Sequence, residues 1–397
     1  MNNELTAAIN HYVDWLSNSA LPLWSSKGVD NNGASIEQFS ANGEADLKSN
    51  KRVRVQARQM FVFSAAHQQG WINNGFELVA SLENFCQKYA KIPEKSHYVH
   101  ILNAENKIVN PNNDLYDIAF FLLAYAWRYH VFNDLNALKK ANQLLNTIDS
   151  NLKESPGGWM EGDYSSDYRR QNPHMHLFEA FLTLYEFTKD GKWLAKAGEI
   201  YCLFETTFYD HKNNVLLEFF KNDWQVAEGD AGQMIEPGHM MEWVWLLRQY
   251  QRFTQAPVDE YCHALYHNAL KLGLDKSSNL LLLEVSLCGA DIKKTKRCWS
   301  MTEWIKASLA QAELTDSSDK YDYLADATCA LSSLSKYFLV SPHKGQYIDS
   351  IDQDNQILTD DAPASTLYHL VVAGLEAQKF ASKFNVNFKT NMGVFSN

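Results

Sequence analysis

The sequence has few of the residues that interrupt regular structure, and it lacks the segments that direct a chain into a membrane or out of the cell. Gly (18) and Pro (9) are scarce among 397 residues, which favours long helices. No apolar run reaches the roughly 18 residues of a spanning helix, and no basic and apolar leader opens the chain. Acidic residues outnumber basic ones, 47 against 36, whereas nucleic acids are bound by clustered Lys and Arg. We therefore expect a cytoplasmic protein with no membrane and no nucleic-acid partner.

Motifs for disulfide, nucleotide, zinc and serine chemistry are also missing. The six Cys residues are spread without a C-x-x-C pair, so we expect reduced, buried thiols. The sequence contains no G-x-x-x-x-G-K-[ST], no G-x-G-x-x-G, no H-E-x-x-H and no G-x-S-x-G. These absences leave an ATPase, a dinucleotide-dependent enzyme and a serine hydrolase without support.

Aromatic residues are abundant, at 13% of the chain, and apolar residues recur at helical spacing through most of it. With so few breaking residues, this pattern predicts a mostly helical protein with a large core and an aromatic-lined cleft. The twelve predicted helices cover residues 4–17, 52–69, 74–90, 114–130, 134–149, 173–187, 192–207, 237–253, 258–272, 300–313, 320–337 and 364–381.

Short β-like runs lie between the predicted helix pairs, at Val215–Phe220, Leu280–Leu287 and Gln346–Asp352. No Gly/Ser-rich or Pro-rich linker divides the chain. We therefore predict one domain over residues 1–397, an all-α toroid of six helix pairs with short β-hairpins in the connecting loops. An open helical solenoid with a concave binding face is the alternative.

Unusual polar residues concentrate where a connection enters the next helix. Arg54 and Arg58 lie four residues apart and share a helix face, which suits an anionic or polyhydroxy ligand. A solvated, salt-bridged edge is the alternative for both arginines. Further along, Pro173 starts a helix on which His176 and Glu179 share a face. The side chains of His174 and His176 diverge around that helix, so we predict that no metal is held between them.

Three more clusters follow the same pattern. A Pro-Gly turn delivers His239 to a helix start, with Glu242 three residues later. A helix N-terminus lowers the pKa of a His and a carboxylate raises it, and a pKa near neutrality suits general acid/base catalysis. Trp299 and Glu303 enter another helix, and an aromatic face beside a carboxylate suits a sugar. His369 lies in the first turn of the last helix, where a buried core His is the alternative.

The segments that carry these clusters are Arg54–Gln59, Asn172–Ala180, Glu236–Trp243, Arg297–Trp304 and Pro363–His369. In order and spacing they resemble the N-acylglucosamine 2-epimerase superfamily of sugar epimerases and isomerases, and most closely its D-mannose isomerase branch. The resemblance implies an (α/α)6 barrel, in agreement with the twelve predicted helices. It also implies aldose–ketose interconversion without a metal or a nucleotide.

The resemblance implies a catalytic set of Arg58, His176, His239, Glu242 and His369. Within it we expect His369 to be the base that carries a proton between C2 and C1 of the sugar. We expect His239 to serve ring opening, with Glu242 holding its tautomer, and we expect Arg58 and His176 to polarise the sugar oxygens. The expected sugar-binding residues are Arg54, Asn172, Glu179, Trp299 and Glu303.

The predicted reaction is the interconversion of D-mannose and D-fructose through a cis-enediol, with D-lyxose and D-xylulose as a further pair. We expect a monosaccharide substrate, no cofactor, no metal, and a monomer or homodimer. The alternatives are a sugar 2-epimerase or sulfoquinovose-type isomerase of the same superfamily, a glycoside hydrolase, and a non-catalytic carbohydrate-binding toroid. A hydrolase needs two carboxylates across the cleft, for which Glu179, Glu242 and Glu303 are the candidates.

Overall fold

Helices account for most of the chain, as the scarcity of Gly and Pro predicts. The computed structural model describes residues 3–93, 95, 97–154, 157–287, 291–315 and 319–384. The α-helices within these residues are α1 (Asn3–Trp15), α2 (Leu21–Lys27), α3 (Val53–Gln68), α4 (Gly75–Phe85), α5 (Leu115–Phe132), α6 (Leu135–Asn151), α7 (Gln171–Thr188), α8 (Gly191–Leu203), α9 (Pro237–Thr254), α10 (Asp259–Gly273), α11 (Cys298–Leu314), α12 (Asp319–Tyr337) and α13 (Ala364–Lys383). A π-helical turn at Leu16–Ala20 joins α1 and α2 into one continuous helix, so the twelve predicted helices are confirmed.

The helices alternate between an inner and an outer ring. Helices α3, α5, α7, α9, α11 and α13 pack against one another in sequence, and α13 packs back on α3. Helices α4, α6, α8, α10 and α12 each cover the inner helix before them, and α1 covers α13. Burial accounts for this division, because α11 is buried on all faces whereas α6 buries one side only. The molecule is therefore an (α/α)6 barrel, and the contact between α13 and α3 closes the ring that a solenoid would leave open.

Short strands form small antiparallel sheets in the connections. They are β1 (Gln38–Phe39), β2 (Lys51–Arg52), β3 (Ile101–Leu102), β4 (Ile108–Asn110), β5 (Arg169–Arg170), β6 (Tyr209–Asp210), β7 (Val215–Leu216), β8 (Phe219–Phe220), β9 (Met234–Ile235), β10 (Leu274–Asp275), β11 (Leu280–Ser286), β12 (Asp291–Arg297), β13 (Ser350–Ile351), β14 (Ile357–Thr359) and β15 (Ala362–Pro363). Strands β2, β5, β9, β12 and β15 lead into α3, α7, α9, α11 and α13. Each of these inner helices therefore begins directly after a strand of a small sheet or one residue later.

The remaining expectations are met in part. The β-like runs at Val215–Phe220 and Leu280–Leu287 contain β7, β8 and β11, whereas the run at 346–352 contains only the two residues of β13. The described cysteines are free thiols, but Cys202 is exposed rather than buried; Cys288 lies outside the described residues. No helix of the described part is long and apolar enough to cross a membrane.

The connection after α12 approaches the first helix closely at Gly345. The backbone of Gly345 has a φ of +86°, and a Cβ there would lie 2.3 Å from the backbone oxygen of Ser19. Glycine avoids both the strain of this conformation and the clash. The chain continues from there to Tyr347, whose hydroxyl donates to the carbonyl of Pro363 at the start of α13 (2.6 Å). The last connection of the ring is therefore fitted against the first helix.

We expect Gly345→Ala to destabilise the protein more than Gly70→Ala. Gly70 also has a positive φ (+70°), but a Cβ there meets nothing within 4 Å. This control therefore has the backbone strain alone, on the order of 1 kcal/mol. The clash with a backbone atom at Gly345 should raise the loss to about 3 kcal/mol. Thermal unfolding followed by circular dichroism measures both variants, and equal shifts in Tm would contradict the close approach.

Candidate active site

The starts of the inner helices surround a cavity of about 570 Å³. Most of the residues that the sequence predicts for catalysis or sugar binding line it, namely Arg54, Arg58, Asn172, His176, His239, Glu242, Trp299 and His369. Glu179 and Glu303 are buried behind this lining, against His176 and His369. Their positions suit the orientation of imidazoles rather than direct contact with a sugar. The other lining residues are Arg52, His100, Asp114, Tyr116, Tyr164, Arg170, Glu236, Leu283, Glu284, Arg297, Ser365 and Thr366.

Trp299 forms a wall between two of the histidines. Its ring centroid lies 5.2 Å from that of His239 and 5.6 Å from that of His369. The sequence permits this approach because the Pro-Gly turn places Gly238 against the indole. A Cβ on Gly238 would lie 2.6 Å from a carbon of the Trp299 ring, which is closer than any real side chain packs. The glycine before His239 thus allows His239 and Trp299 to face the same space.

His239 is held among carboxylates. Its Nδ1 lies 3.0 Å from Oε2 of Glu218 and 3.6 Å from Oε2 of Glu236. Burial lowers the pKa of His239, but the charges of Glu218 and Glu236 outweigh burial and raise this pKa well above its ordinary value. These carboxylates therefore favour the imidazolium form of His239. The expectation that Glu242 holds the tautomer of His239 is wrong, because Nδ1 of His239 is hydrogen-bonded to Glu218.

The second nitrogen of His239 faces Asn172 at the start of α7. Nε2 lies 3.3 Å from the amide nitrogen of Asn172, and the amide oxygen of Asn172 is buried without a partner. Amide oxygen and nitrogen exchange places when the group turns over. A turned amide would give the Nε2 proton of the imidazolium an acceptor, which agrees with a protonated His239.

His369 has a different set of neighbours. Its Nδ1 lies 2.9 Å from Oε1 of Glu303, and Oε2 of Glu303 lies 2.6 Å from Nζ of Lys306. Glu303 and Lys306 are completely buried, so the ammonium neutralises the carboxylate. Burial and the nearby Arg58 and Lys306 charges hold the pKa of His369 well below its ordinary value. His369 is therefore neutral, and its Nε2 is the nitrogen left for a substrate.

His176 is a second neutral imidazole. Its Nδ1 lies 3.5 Å from Oε2 of Glu179 and 3.9 Å from Oε1 of Glu242, yet burial lowers its pKa to about 4. Glu179 also accepts a hydrogen bond from the hydroxyl of Tyr368. Burial and the neighbouring Glu303 raise the pKa of Glu242 well above its ordinary value. Apart from Arg58, the lining in this part of the cavity therefore consists of groups whose pKa shifts favour their uncharged forms.

Arg58 places a guanidinium beside these histidines. Its Nη1 donates to the carbonyl of Ser365 (3.0 Å) and its Nη2 to the hydroxyl of Tyr116 (2.7 Å). The guanidinium lies 4.0 Å from the ring centroid of Phe120, a cation–π distance. Among the described residues, Arg58 is the lining arginine with no carboxylate partner. The other lining arginines are paired, Arg52 with Glu37, Arg54 with Asp117, Arg170 with Glu161 and Arg297 with Asp349.

The paired arginines include a repeated arrangement that the sequence does not reveal. Arg52 and Arg170 cap α3 and α7, and each donates its backbone N–H and its Nε–H to the two oxygens of one carboxylate, Glu37 or Glu161, at 2.6–2.7 Å. Arg297 caps α11 and pairs with a carboxylate at 2.7 Å. Three alternate inner helices therefore start with an arginine that lines the cavity and is already neutralised.

Within the part of the chain that the structure describes, four groups of His and carboxylate side chains have the composition of a metal site, with candidate ligand atoms within 4.8 Å of one another in each group. In every group a His Nδ1 already faces a carboxylate oxygen at 2.7–3.5 Å. His174 lies outside these groups, where its ring bonds the backbone of Trp159 and Arg170, so His174 and His176 diverge as expected. The four groups are His100–Asp114–Asp117, His176–Glu179–Glu242, Glu218–Glu236–His239 and Glu242–Glu303–His369. That the reaction needs no metal stays a prediction.

Several groups of the site were not predicted. Glu218 lies inside the apolar run at Val215–Phe220, and Lys306 lies on the buried inner helix α11. A charge within a segment that is otherwise buried was the available signal for both, since such residues are rarely buried without a partner. His100, which pairs with Asp117 at 2.7 Å, lies in a connection that carried no signal.

Comparison with known proteins connects this geometry to a family. Residues 35–373 match the N-acylglucosamine 2-epimerase (GlcNAc 2-epimerase) family. A relative from Rhizobium meliloti (strain 1021), named mannose-6-phosphate isomerase, is 32% identical over 386 residues, which are 95% of this chain and 98% of the relative. A D-mannose isomerase from Marinomonas mediterranea is 22% identical over 379 residues, covering 88% of this chain and 92% of that protein. A crystal structure of D-mannose isomerase has the same fold, with a TM-score of 0.82, 19% identity and coverage of 95% of this chain and 98% of the other.

The matched region runs from before the first inner helix into the last one, and it includes every residue that lines the cavity. The chain belongs to the N-acylglucosamine 2-epimerase family, an enzyme family of sugar epimerases and isomerases.

Proposed function

We propose that the protein is an aldose–ketose isomerase that interconverts D-mannose and D-fructose, with D-lyxose and D-xylulose as a further pair. The observation that carries this proposal is the unequal surroundings of the two histidines beside Trp299. Nδ1 of His239 lies 3.0 Å from the carboxylate of Glu218, whereas Glu303, the partner of His369, is paired with Lys306 at 2.6 Å. Isomerisation through an enediol needs an acid and a base in one site. The names of the D-mannose isomerases among the relatives and structural neighbours support this choice of sugar.

The reaction follows from these protonation states. His239 gives its Nε2 proton to the ring oxygen O5 and then takes the proton of the O1 hydroxyl, so that the C1–O5 bond breaks, the C1=O1 bond forms and the imidazolium is restored. His369 then takes the proton from C2, the C–H electron pair forms the C1=C2 bond, and O1 takes up a proton from His239. The resulting cis-enediol loses its O2 proton to His239, while His369 returns its proton to C1. Two hydrogens have moved and no external oxidant or reductant is consumed.

Arg58 supplies the positive charge that this reaction requires. Negative charge develops on O1 and O2 in the enediolate, and a fixed donor in a site with little water stabilises such charge strongly. Because the other lining arginines are paired with carboxylates, the guanidinium of Arg58 is the one available to stabilise negative charge on these oxygens. His176, neutral and adjacent, is placed to donate a hydrogen bond to the same oxygens.

A phosphorylated hexose is the second candidate substrate, because the relative at 32% identity is named mannose-6-phosphate isomerase. Arg52, Arg170 and Arg297 line the same cavity, and arginine is a common ligand of phosphate. Each of them, however, already pairs with a buried carboxylate, so these residues provide no surplus of positive charge. We therefore favour the uncharged sugar, and the same histidines would serve either substrate.

The remaining alternatives differ in their use of the cavity. A 2-epimerase would form the same enediolate but return the proton to the opposite face of C2. A glycoside hydrolase needs two carboxylates across the cleft, and of Glu179, Glu242 and Glu303 only Glu242 lines the cavity. A sugar-binding protein without activity would have no use for two imidazoles in opposite protonation states.

The substrate is tested by NMR of the EDTA-dialysed protein in D2O with mannose, mannose 6-phosphate, lyxose, glucose and cellobiose. We expect mannose to give fructose that carries deuterium at C1, at least about tenfold faster than the phosphate ester reacts, a difference of about 1.4 kcal/mol. Preference for the ester would establish the second candidate instead. Inversion at C2 without a ketose would indicate an epimerase, and glucose released from cellobiose a hydrolase. Activity that is lost with EDTA and restored by a divalent ion would contradict the metal-free reaction.

Replacement of each histidine tests the division of roles. His369→Asn should slow mannose–fructose interconversion by roughly 10²–10⁴-fold, the contribution of a general base, and should abolish deuterium uptake at C1. His239→Asn should also be severely impaired, but a substrate with a large open-chain fraction should partly rescue it. Both variants should still bind sugar, which is measured by calorimetry. If His369→Asn still incorporates deuterium while His239→Asn does not, the two roles are exchanged.

The pH dependence of kcat/KM follows from the opposite pKa shifts. The base His369 must be neutral, and its lowered pKa places the acidic limb below the ordinary His value of about 6.5. The acid His239 must be protonated, and its raised pKa places the basic limb above that value. Activity at about pH 6 and about pH 8 should therefore stay within roughly threefold of the maximum. A narrow bell centred near pH 6.5 would show that neither pKa is shifted.

A further inference from the structure

The unusual feature of the region around His239 is Glu218, a carboxylate in the middle of an apolar run. It lies two residues after the end of β7 and directly before β8, and it is 3% exposed. Its Oε2 lies 3.0 Å from Nδ1 of His239 and 2.9 Å from Nε2 of Gln171. A charge is rarely buried in a strand connection without a specific partner, and here the partner is a histidine that faces the cavity.

The carboxylate of Glu218 is held in place from two inner helices. The backbone N–H of Gln171, at the start of α7, donates to the carbonyl of Glu218 (3.2 Å), and its side-chain amide donates to the carboxylate. The amide oxygen of Gln171 accepts the indole N–H of Trp243 on α9 (2.7 Å). Trp243 is itself completely buried. Gln171 therefore ties both the backbone and the carboxylate of Glu218 to a place beside His239.

We propose that Glu218 is the positioning residue of His239: it accepts the Nδ1 proton, so that Nε2 is the nitrogen presented to the sugar, and its charge keeps the ring ready to give a proton. This inference rests on the proposed isomerase function, and it identifies a residue that assists the proposed acid, His239. Glu218 does not line the cavity, so it acts on the reaction only through His239. A fixed hydrogen bond on one ring nitrogen determines the tautomer and the direction of the other.

The other groups that face His239 do not replace Glu218. Glu236 lies farther from Nδ1, at 3.6 Å, and burial raises its pKa to about 7, so about half of it is uncharged at neutral pH. Glu242 lies on the same helix and its pKa is raised by burial. From α7, the neutral His176 and the uncharged Gln171 and Asn172 face the ring, and from α11 Trp299 does.

The test is the isosteric variant Glu218→Gln, which keeps a hydrogen-bonding side chain but removes the charge. We expect kcat/KM with mannose to fall by at least about tenfold at pH 8, and the loss to be smaller at pH 6, where a larger fraction of the ring carries a proton. The basic limb should move to lower pH, while KM changes by less than about threefold because Glu218 does not contact the sugar. Glu218→Asp, which restores the charge, should return the basic limb toward its original position.

Glu161→Gln is the matched control. It also removes a buried carboxylate behind the cavity wall, but that carboxylate pairs with Arg170 and not with a histidine. Its basic limb should stay where the wild-type limb is. A Glu218→Gln variant with the same loss at every pH, or with wild-type activity, would overturn the proposal and assign Glu218 a structural role only.

A second readout separates this proposal from the proposed function. The pKa of His239 is measured by NMR of the ring nitrogens in the wild type and in Glu218→Gln or, if that variant does not fold, Glu218→Asp. A pKa of His239 that is lower in Glu218→Gln than in the wild type supports the positioning role, even if mannose is not the substrate. A decrease in Glu218→Asp that is smaller than the one in Glu218→Gln supports it in the same way. An unchanged pKa overturns the role even if mannose is isomerised. Absence of turnover with every sugar would overturn the proposed function alone.

Discussion

The unequal supply of counter-charge to His239 and His369 is the interaction on which the chemistry of the cavity depends. Both imidazoles are buried, and burial alone would leave both neutral near pH 7. His239 faces the carboxylate of Glu218 with no cation between them, whereas Glu303, the partner of His369, is neutralised by Lys306. In the proposed reaction the same side chain therefore acts as an acid on one side of the cavity and as a base on the other, without any difference in the imidazole itself.

The closed ring of inner helices makes this arrangement possible. Each inner helix is largely buried, and residues at its start line a cavity walled by the other five, so charges behind this lining meet little water. In such a place a carboxylate and an ammonium such as Glu303 and Lys306 depend on each other, and removal of one partner leaves a costly buried charge. The same constraint explains why the arginines at the starts of α3, α7 and α11 each have a carboxylate behind them. Arg58 is the exception, and it is the one placed beside the neutral imidazoles.

The helices and eight of the twenty residues that line the cavity could be predicted because their signals are local. Helical periodicity, and a Pro or a polar residue at a helix start, mark which side chains reach the end of the barrel. The partner of each imidazole could not be predicted in this way. Glu242 was expected to hold His239 on the basis of helical spacing, but Glu218, 21 residues earlier, does so. Glu179 and Glu303 were expected to contact the sugar but lie behind the imidazoles, because the depth of a side chain on a buried helix depends on neighbouring helices that periodicity does not specify.

The protonation states of His239 and His369 in the sugar-free protein test the division of acid and base most directly. They are measured by ¹⁵N NMR of the ring nitrogens at about pH 7, with His239→Asn and His369→Asn used to assign the two signals. We predict that His239 carries a proton on both ring nitrogens and that His369 carries a proton on one. Two neutral rings, or a protonated His369 beside a neutral His239, would contradict this account.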